Sequence, residues 1–281
     1  MVDGEIQKNA PPPSRAIIIT GPSSCGKGEI AKALCARLSI PNERWLAMGA
    51  ILREIYERVN DTAFVEALSC RHAISDTVPI FTTADMTEVL KAKIERNRPG
   101  LERMFATRSA LRARRQGWES TTALDWLEYC TLHGLLVPNR WTQELIEARI
   151  RTAHGSPGPI ILDGYPRTVR AAEHLIDVLD HTEIPVWRVL HLSISKQEML
   201  HRAGLRQRAD DDPAALLKRY EFYVDSVQPS VDYIKYRLGS KFVALIDAHQ
   251  PSYDGVGESR TLNLKRSIEN VVRAALLALS D

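Results

Sequence analysis

The sequence predicts an α/β fold in which a parallel sheet is covered by helices on both faces, on three observations. Short, continuously apolar runs alternate with segments of helical period along most of the chain. A glycine-rich loop stands between the first apolar run and the first helical segment. The 281 residues, 44% hydrophobic and 26% charged with a net charge of +2, suit one sizeable core plus appended elements and exclude disordered or collagen-like classes.

Residues 1–15, polar and carrying Pro11, Pro12 and Pro13 in succession, read as a flexible leader. Ala16 to Thr20 (AIIIT) is apolar and largely β-branched, as central parallel strands buried on both faces tend to be. Further apolar runs at Arg44 to Ala47, Pro159 to Leu162, Val186 to Ile194 and Phe242 to Ile246 bring the expected parallel sheet to five strands. Helical periodicity covers Glu29 to Leu38, Arg140 to Ala153, Val169 to Leu179, Lys196 to Ala203, Pro213 to Tyr236 and Leu262 to Leu279. Strand alternating with helix predicts a three-layer sandwich.

Two stretches fall outside that alternation. Residues from about 61 to 120 form a helix-compatible insertion that ends in the basic run KAKIERNRPGLERMFATRSALRARR, broken by Pro99 and Gly100. The other, His249 to Arg260, reads as a polar loop before the last helix.

No apolar stretch approaches the roughly 18 residues of a membrane span, and the N-terminus lacks the apolar run of a secretion signal, so a cytoplasmic location is expected. Cys25, Cys35, Cys70 and Cys130 show no C-x-x-C spacing and read as reduced thiols, not as a metal site. No heptad or exposed apolar helix demands an oligomer, so a monomer is expected.

Directly after the first strand comes GPSSCGKG, in which Gly21, Gly26 and Lys27 meet the spacing G-x-x-x-x-G-K. Strand, glycine loop and helix in this order are the context of a P-loop. Consecutive backbone N–H groups through Ser23, Ser24 and Cys25 and a helix N-terminus make an anion nest, and the lysine adds a full charge for the outer phosphates. The expected fold is therefore of P-loop NTPase type. Gly28 stands where most such loops carry a magnesium-binding hydroxyl.

A second motif, ILDGYPRT, leaves the strand Pro159 to Leu162. An Asp at the end of a strand beside such a loop can hold magnesium through its water shell, here Asp163, and an Arg four residues on, Arg167, can fork onto a phosphate.

With both motifs present, the chain resembles the adenylate kinase family of nucleoside monophosphate kinases, whose signature joins a GKG-type loop to D-G-[FY]-P-R-T. The likeness runs from about Ala16 to Val272, the insertion excepted. AMGAILRE, Ala47 to Glu54, looks like the family's S-T-G-D-x-L-R segment, HGLLVP like its G-K-L-V-P/T stretch, and RAGLRQRADD like its arginine-rich lid. The resemblance implies transfer of the γ-phosphoryl group of ATP to a nucleoside monophosphate, AMP being the family's favoured acceptor, with Mg2+ as cofactor and a place in nucleotide metabolism.

The same resemblance implies residue roles. Gly21, Ser23, Ser24, Cys25, Gly26, Lys27, Gly28, Glu29, Arg202 and Ala248 would bind the donor nucleotide, and Gly49, Arg53, Val137, Gly164 and Arg167 the acceptor. Lys27, Arg167, Arg206, Arg208 and Arg219 would be catalytic, with Asp163 on the metal's water and Asp210 a second candidate for that role. Residues 16–46 and 139–281 would form the core, 47–138 the acceptor-binding subdomain with its insertion, and 202–209 a minimal lid.

The chain departs from the family pattern at several positions. Glu29 replaces a Thr and is expected to face solvent or pair with a cation, and only Gln207 separates Arg206 from Arg208. Ala171 stands where adenylate-specific members place a base-reading Gln, and Met48 and Ala50 replace the Thr and Asp of the S-T-G-D segment, so UMP, CMP or a broader set stay open beside AMP. The basic residues Arg96, Arg98, Arg103, Arg108, Arg112, Arg114 and Arg115 read first as the solvated face of a helical hairpin; the alternative is recognition of a nucleic-acid 5′ end or another protein, with only Phe105 and Trp118 as aromatics. Beside the metabolic kinase stand two further readings, a kinase for such a nucleic-acid end and a catalytically weak nucleotide-binding regulator.

Overall fold

The structure, a computed structural model, describes residues 13–84, 86–107, 117–206, 213–255 and 260–280. Five strands, β1 (Ala16–Thr20), β2 (Trp45–Ala47), β3 (Ile160–Asp163), β4 (Val186–Ser193) and β5 (Val243–Asp247), form one parallel sheet in the order β2-β3-β1-β4-β5. The chain divides into two compact units, residues 1–47, 147–207 and 216–281 in the first, and 48–146 with 208–215 in the second.

In the first unit every residue of β1 is buried, as its unbroken apolar run requires of a central strand. Ile17, Ile19, Leu190 and Leu192 face one side, where they pack with Ile30, Ala31 and Leu34 of α1 (Lys27–Arg37) and with Val272 and Ala275 of the C-terminal helix (Leu264–Ser280). His191 points to the other side and meets Tyr223, which precedes the helix Gln228–Leu238; that helix packs on Val169–His181. The result is the three-layer sandwich that the alternation predicts.

Three differences from the sequence reading have local causes. Arg44 is not strand but a short helical turn before β2, and its buried guanidinium donates to the carbonyl oxygens of Ala153, Ser156, Gly158 and Pro159, tying down the chain that enters β3. The helix expected over Pro213 to Tyr236 is interrupted by a widened, π-helical turn at Tyr223–Val227, between Pro213–Phe222 and Gln228–Leu238. Pro229 has no N–H for the carbonyl four residues back, and a widened turn absorbs that missing bond. Inside the stretch read as a loop, Tyr253 and Asp254 pair antiparallel with Leu262 and Thr261.

The second unit is helical. α2 (Met48–Glu57) packs on α6 (Ala123–Leu132), and the insertion contributes α3 (Thr62–His72), α4 (Glu88–Arg96) and α5 (Arg98–Thr107). The break in the basic run falls at Asn97, which ends α4, with Pro99 and Gly100 in the first turn of α5. Gly100 is required by close approach: a Cβ there would lie 2.0 Å from the Tyr129 hydroxyl of α6. Arg96, Arg98 and Arg103 are exposed, Arg98 pairing with Glu102 at 2.8 Å, while Arg108, Arg112, Arg114 and Arg115 lie outside the described residues. Trp118 packs edge-on against Phe81. Cys25, Cys35 and Cys130 are buried and Cys70 exposed, all as free thiols. No helix among the described residues is long and apolar enough to cross a membrane.

Candidate functional site

β1 delivers the chain into the glycine loop at the C-terminal edge of the sheet, between β3 and β4, where the strand order reverses and open α/β sheets bind ligands. Gly21 has φ +142° and passes so close to β4 that a Cβ would lie 2.3 Å from the Leu192 carbonyl oxygen. Gly26, at φ +91°, turns the chain into α1, whose first residue is Lys27. The Ser24 hydroxyl, in the glycine loop, is buried without a hydrogen-bond partner among the described residues. That fits an anionic ligand.

Lys27 folds back over this loop, donating to the carbonyl oxygens of Gly21 at 3.0 Å and Pro22 at 2.7 Å. Cys25 is buried beneath it, Ser23 and Gly28 are part-exposed, and Glu29 is exposed on the first turn of α1, the solvent-facing position expected for a carboxylate beside a phosphate site.

Beside the loop, Asp163 ends β3 opposite Ile19 of β1 and Ala47 of β2, with the Trp45 indole N–H 3.4 Å from its carboxylate. The Gly164 N–H donates back to Ile19, and the Arg167 Nε donates to the Gly164 carbonyl at 2.8 Å, which folds the DGYPR turn onto itself. Burial pushes the Arg167 pKa down, the Asp163 carboxylate opposes this, and Arg219 pushes it down further, so the three charges feel one another. The guanidinium stays cationic regardless. For a magnesium ion arriving with a triphosphate, the Asp163 carboxylate, partly exposed at the strand end, is a suitable hard oxygen partner. Among the described residues no cluster of three or more His, Cys, Asp or Glu side chains could hold a metal.

At the far edge of the same unit, Arg202 Nη2 donates to the Ala248 carbonyl at 2.9 Å and its Nε to Glu198 at 2.6 Å. The Ala248 N–H in turn bonds Ser193 at the end of β4. His249 Nδ1 stands 3.0 Å from the same Glu198 oxygen, and Ser195, Gln197 and His201 line the hollow alongside. No motif in the sequence marks Glu198 or His249. The i,i+4 spacing of Glu198 and Arg202 on one helix was legible; the approach of His249 was not. The helix read as Lys196 to Ala203 continues to Arg206, so the first part of the expected lid is helical, while Arg208, Asp210 and the rest of that lid lie outside the described residues.

In the second unit, Gly49 and Arg53 share one face of α2, with the Arg53 guanidinium 3.4 Å from where a Gly49 Cβ would stand. Val137 is buried in the irregular stretch between α6 and α7 (Asn139–His154).

A glycine loop of P-loop spacing at the switch point of a parallel sheet, with a cationic turn on the adjacent strand, gives the first unit a P-loop NTPase-type fold. The family model described as "Adenylate kinase" matches residues 104–238. Proteins named adenylate kinase from Mycobacterium sp. (strain MCS) and Mycobacterium tuberculosis (strain ATCC 25618 / H37Rv) are 38% and 35% identical over 105 residues, 37% of this chain and 58% of each relative. The chain thus spans a little over half the length of these relatives. Over these stretches the chain is similar to adenylate kinases.

Proposed function

We propose that the protein is a nucleoside monophosphate kinase that moves the γ-phosphoryl group of ATP onto a nucleoside monophosphate, with AMP as the first acceptor to test. The observation that carries this reading is the pairing of the GPSSCGKG loop and the DGYPRT turn on adjacent strands, Ile19 opposite Asp163. Both motifs then serve one phosphate chain.

In this reaction an acceptor phosphate oxygen attacks the γ-phosphorus as the bond to the β,γ-bridging oxygen breaks, so the protein must align three atoms and neutralise charge. Lys27 would leave its loop carbonyls to follow the transferred group. Arg167 would hold the acceptor phosphate, and Arg219, close enough to influence it, would close on the reacting oxygens. Arg53, Gly49 and Val137 would receive the acceptor, and Arg202 with the Ala248 backbone the donor base. Magnesium on the triphosphate would supply further charge neutralisation, with Asp163 accepting from its bound water. The exposed Glu29 supports the reading, since an inward carboxylate would repel phosphate.

A substrate panel tests it: full-length protein with Mg-ATP and each of AMP, GMP, CMP, UMP and dTMP, read by diphosphate formation with a Lys27→Ala control. Conversion that depends on Lys27 supports the class and names the acceptor. No conversion of any monophosphate despite ATP binding would overturn it.

A further inference from the structure

Residues 135–138 form neither helix nor strand between α6 and α7, so their backbone groups must find partners elsewhere. The Leu135 N–H donates to the Cys130 carbonyl at 2.8 Å, closing the end of α6. The Leu136 carbonyl accepts from Lys93 Nζ at 2.8 Å, a contact reaching across 43 residues of sequence from the insertion. Lys93 lies on α4 beside Leu90 and Ile94, whose burial fixes that helix face. Its ammonium is sufficiently withdrawn from water that burial pulls its pKa down, with only the Cys130 thiol, itself pushed up to about 12 by burial, acting the other way. A lysine drawn out of water is costly, and the charge-assisted bond to Leu136 offsets that cost.

The neighbouring α5 docks on the same helix end. Gly100 receives Tyr129, and the Tyr129 ring packs 4.2 Å from that of His133, which opens the HGLLVP stretch. The insertion therefore grips the α6–α7 connection at two places.

We infer that the helical insertion is a brace for the acceptor-binding stretch, and that Lys93 is a positioning residue for acceptor recognition. The inference rests on the proposed kinase reading, which gives the Val137 backbone to the acceptor base. The geometry behind it is that the Leu136 carbonyl and the Val137 N–H belong to one planar trans peptide and point opposite ways. A lysine that fixes the carbonyl therefore aims the N–H. Without Lys93 that peptide plane can rotate, and a base contact made through it loses its direction while contacts made by the glycine loop keep theirs.

The test uses the full chain with Lys93→Met, which keeps length and loses the donor, and Lys93→Arg, which keeps a donor. Lys93→Met is expected to raise KM for the accepted monophosphate about tenfold, with kcat and KM for ATP within about twofold, and Lys93→Arg to recover most of the loss. An unchanged monophosphate KM in folded Lys93→Met, or an equal rise in both KM values, overturns the inference. Hydrogen exchange gives a second reading that needs no turnover: the Val137 amide should exchange faster in Lys93→Met while amides of α1 do not change, and equal exchange at Val137 overturns the brace. If Lys93→Met does not fold, Lys93→Gln, whose amide is too short to reach, replaces it in both measurements. Wild-type protein that converts no monophosphate overturns the kinase reading alone, and the exchange experiment still decides the brace.

Discussion

The ammonium of Lys27 lies 2.7 Å from the carbonyl oxygen of Pro22, inside the turn that Lys27 itself helps to close. The lysine is thus stored against its own loop, on acceptors that a phosphate oxygen can replace. On the proposed function, binding a triphosphate would exchange neutral carbonyl partners for anionic ones, which make the stronger hydrogen bond.

Lys27→Met should therefore separate catalysis from folding. Phosphoryl transfer is expected to fall by about a hundredfold to a thousandfold. Thermal unfolding should move little, because the lost contacts are part-exposed bonds each contributing about 1 kcal/mol. Steady-state kinetics beside calorimetry on the same samples check both halves.

Gly21→Ala should act in the reverse sense and damage the fold of the loop itself. The new methyl would stand 2.3 Å from the Leu192 carbonyl oxygen at a φ that L-residues rarely adopt. A loss of about 2–4 kcal/mol is expected, overpacking and backbone strain together. Urea denaturation measures it, and ATP binding should weaken in parallel.

Gly100→Ala tests whether the insertion is docked on α6. Its Cβ would collide with the Tyr129 hydroxyl, and a loss of about 1–3 kcal/mol is expected. Tyr129→Phe removes the closest atom, so the double variant should be more stable than the sum of the single losses predicts. Strict additivity in the cycle would mean that α5 is not held there.

Glu198 links Arg202 to His249, and its titration gives a pH signature. Burial raises its pKa, but the hydrogen bonds from Arg202 and His249 outweigh that and hold the carboxyl below the usual range. A carboxyl depressed in the folded state stabilises fully above its unfolded pKa of about 4.3, and the contribution disappears as pH falls through the lower folded value. The stability difference between wild type and Glu198→Gln should accordingly be constant at neutral pH and vanish in acid. KM for ATP should rise in the variant at neutral pH, because Arg202 loses the partner that orients it.

Tyr223→Phe removes the hydroxyl that His191 Nε2 meets at 2.7 Å beneath the π-helical turn. His191 is buried on β4, and leaving its ring nitrogen without that partner should cost about 1–2 kcal/mol, read as a shift in denaturant midpoint at unchanged slope.

Much of this molecule is legible in its sequence because the signals are local. The run AIIIT reads as a strand buried on both faces, the spacing of Gly21, Gly26 and Lys27 fixes a loop whose geometry is set within seven residues, and the helical periods place most helix ends within a few positions. The π-helical turn was less legible: Pro229 signals a disturbance, but the neighbours decide whether a helix breaks, kinks or widens.

What the sequence determined by itself is therefore the five strands of the parallel sheet, most of the helices around them, and two motifs of P-loop and D-G-Y-P-R-T type, each encoded by residues adjacent in the chain. The tertiary structure alone decided the order β2-β3-β1-β4-β5, which brings Asp163 beside the glycine loop, and the partners of Arg44, Lys93 and Glu198. The physical reason is that periodicity and turn chemistry act over a few residues, whereas a buried cation takes whichever carbonyl or carboxylate the packed chain brings within 3 Å, however far away it lies in sequence.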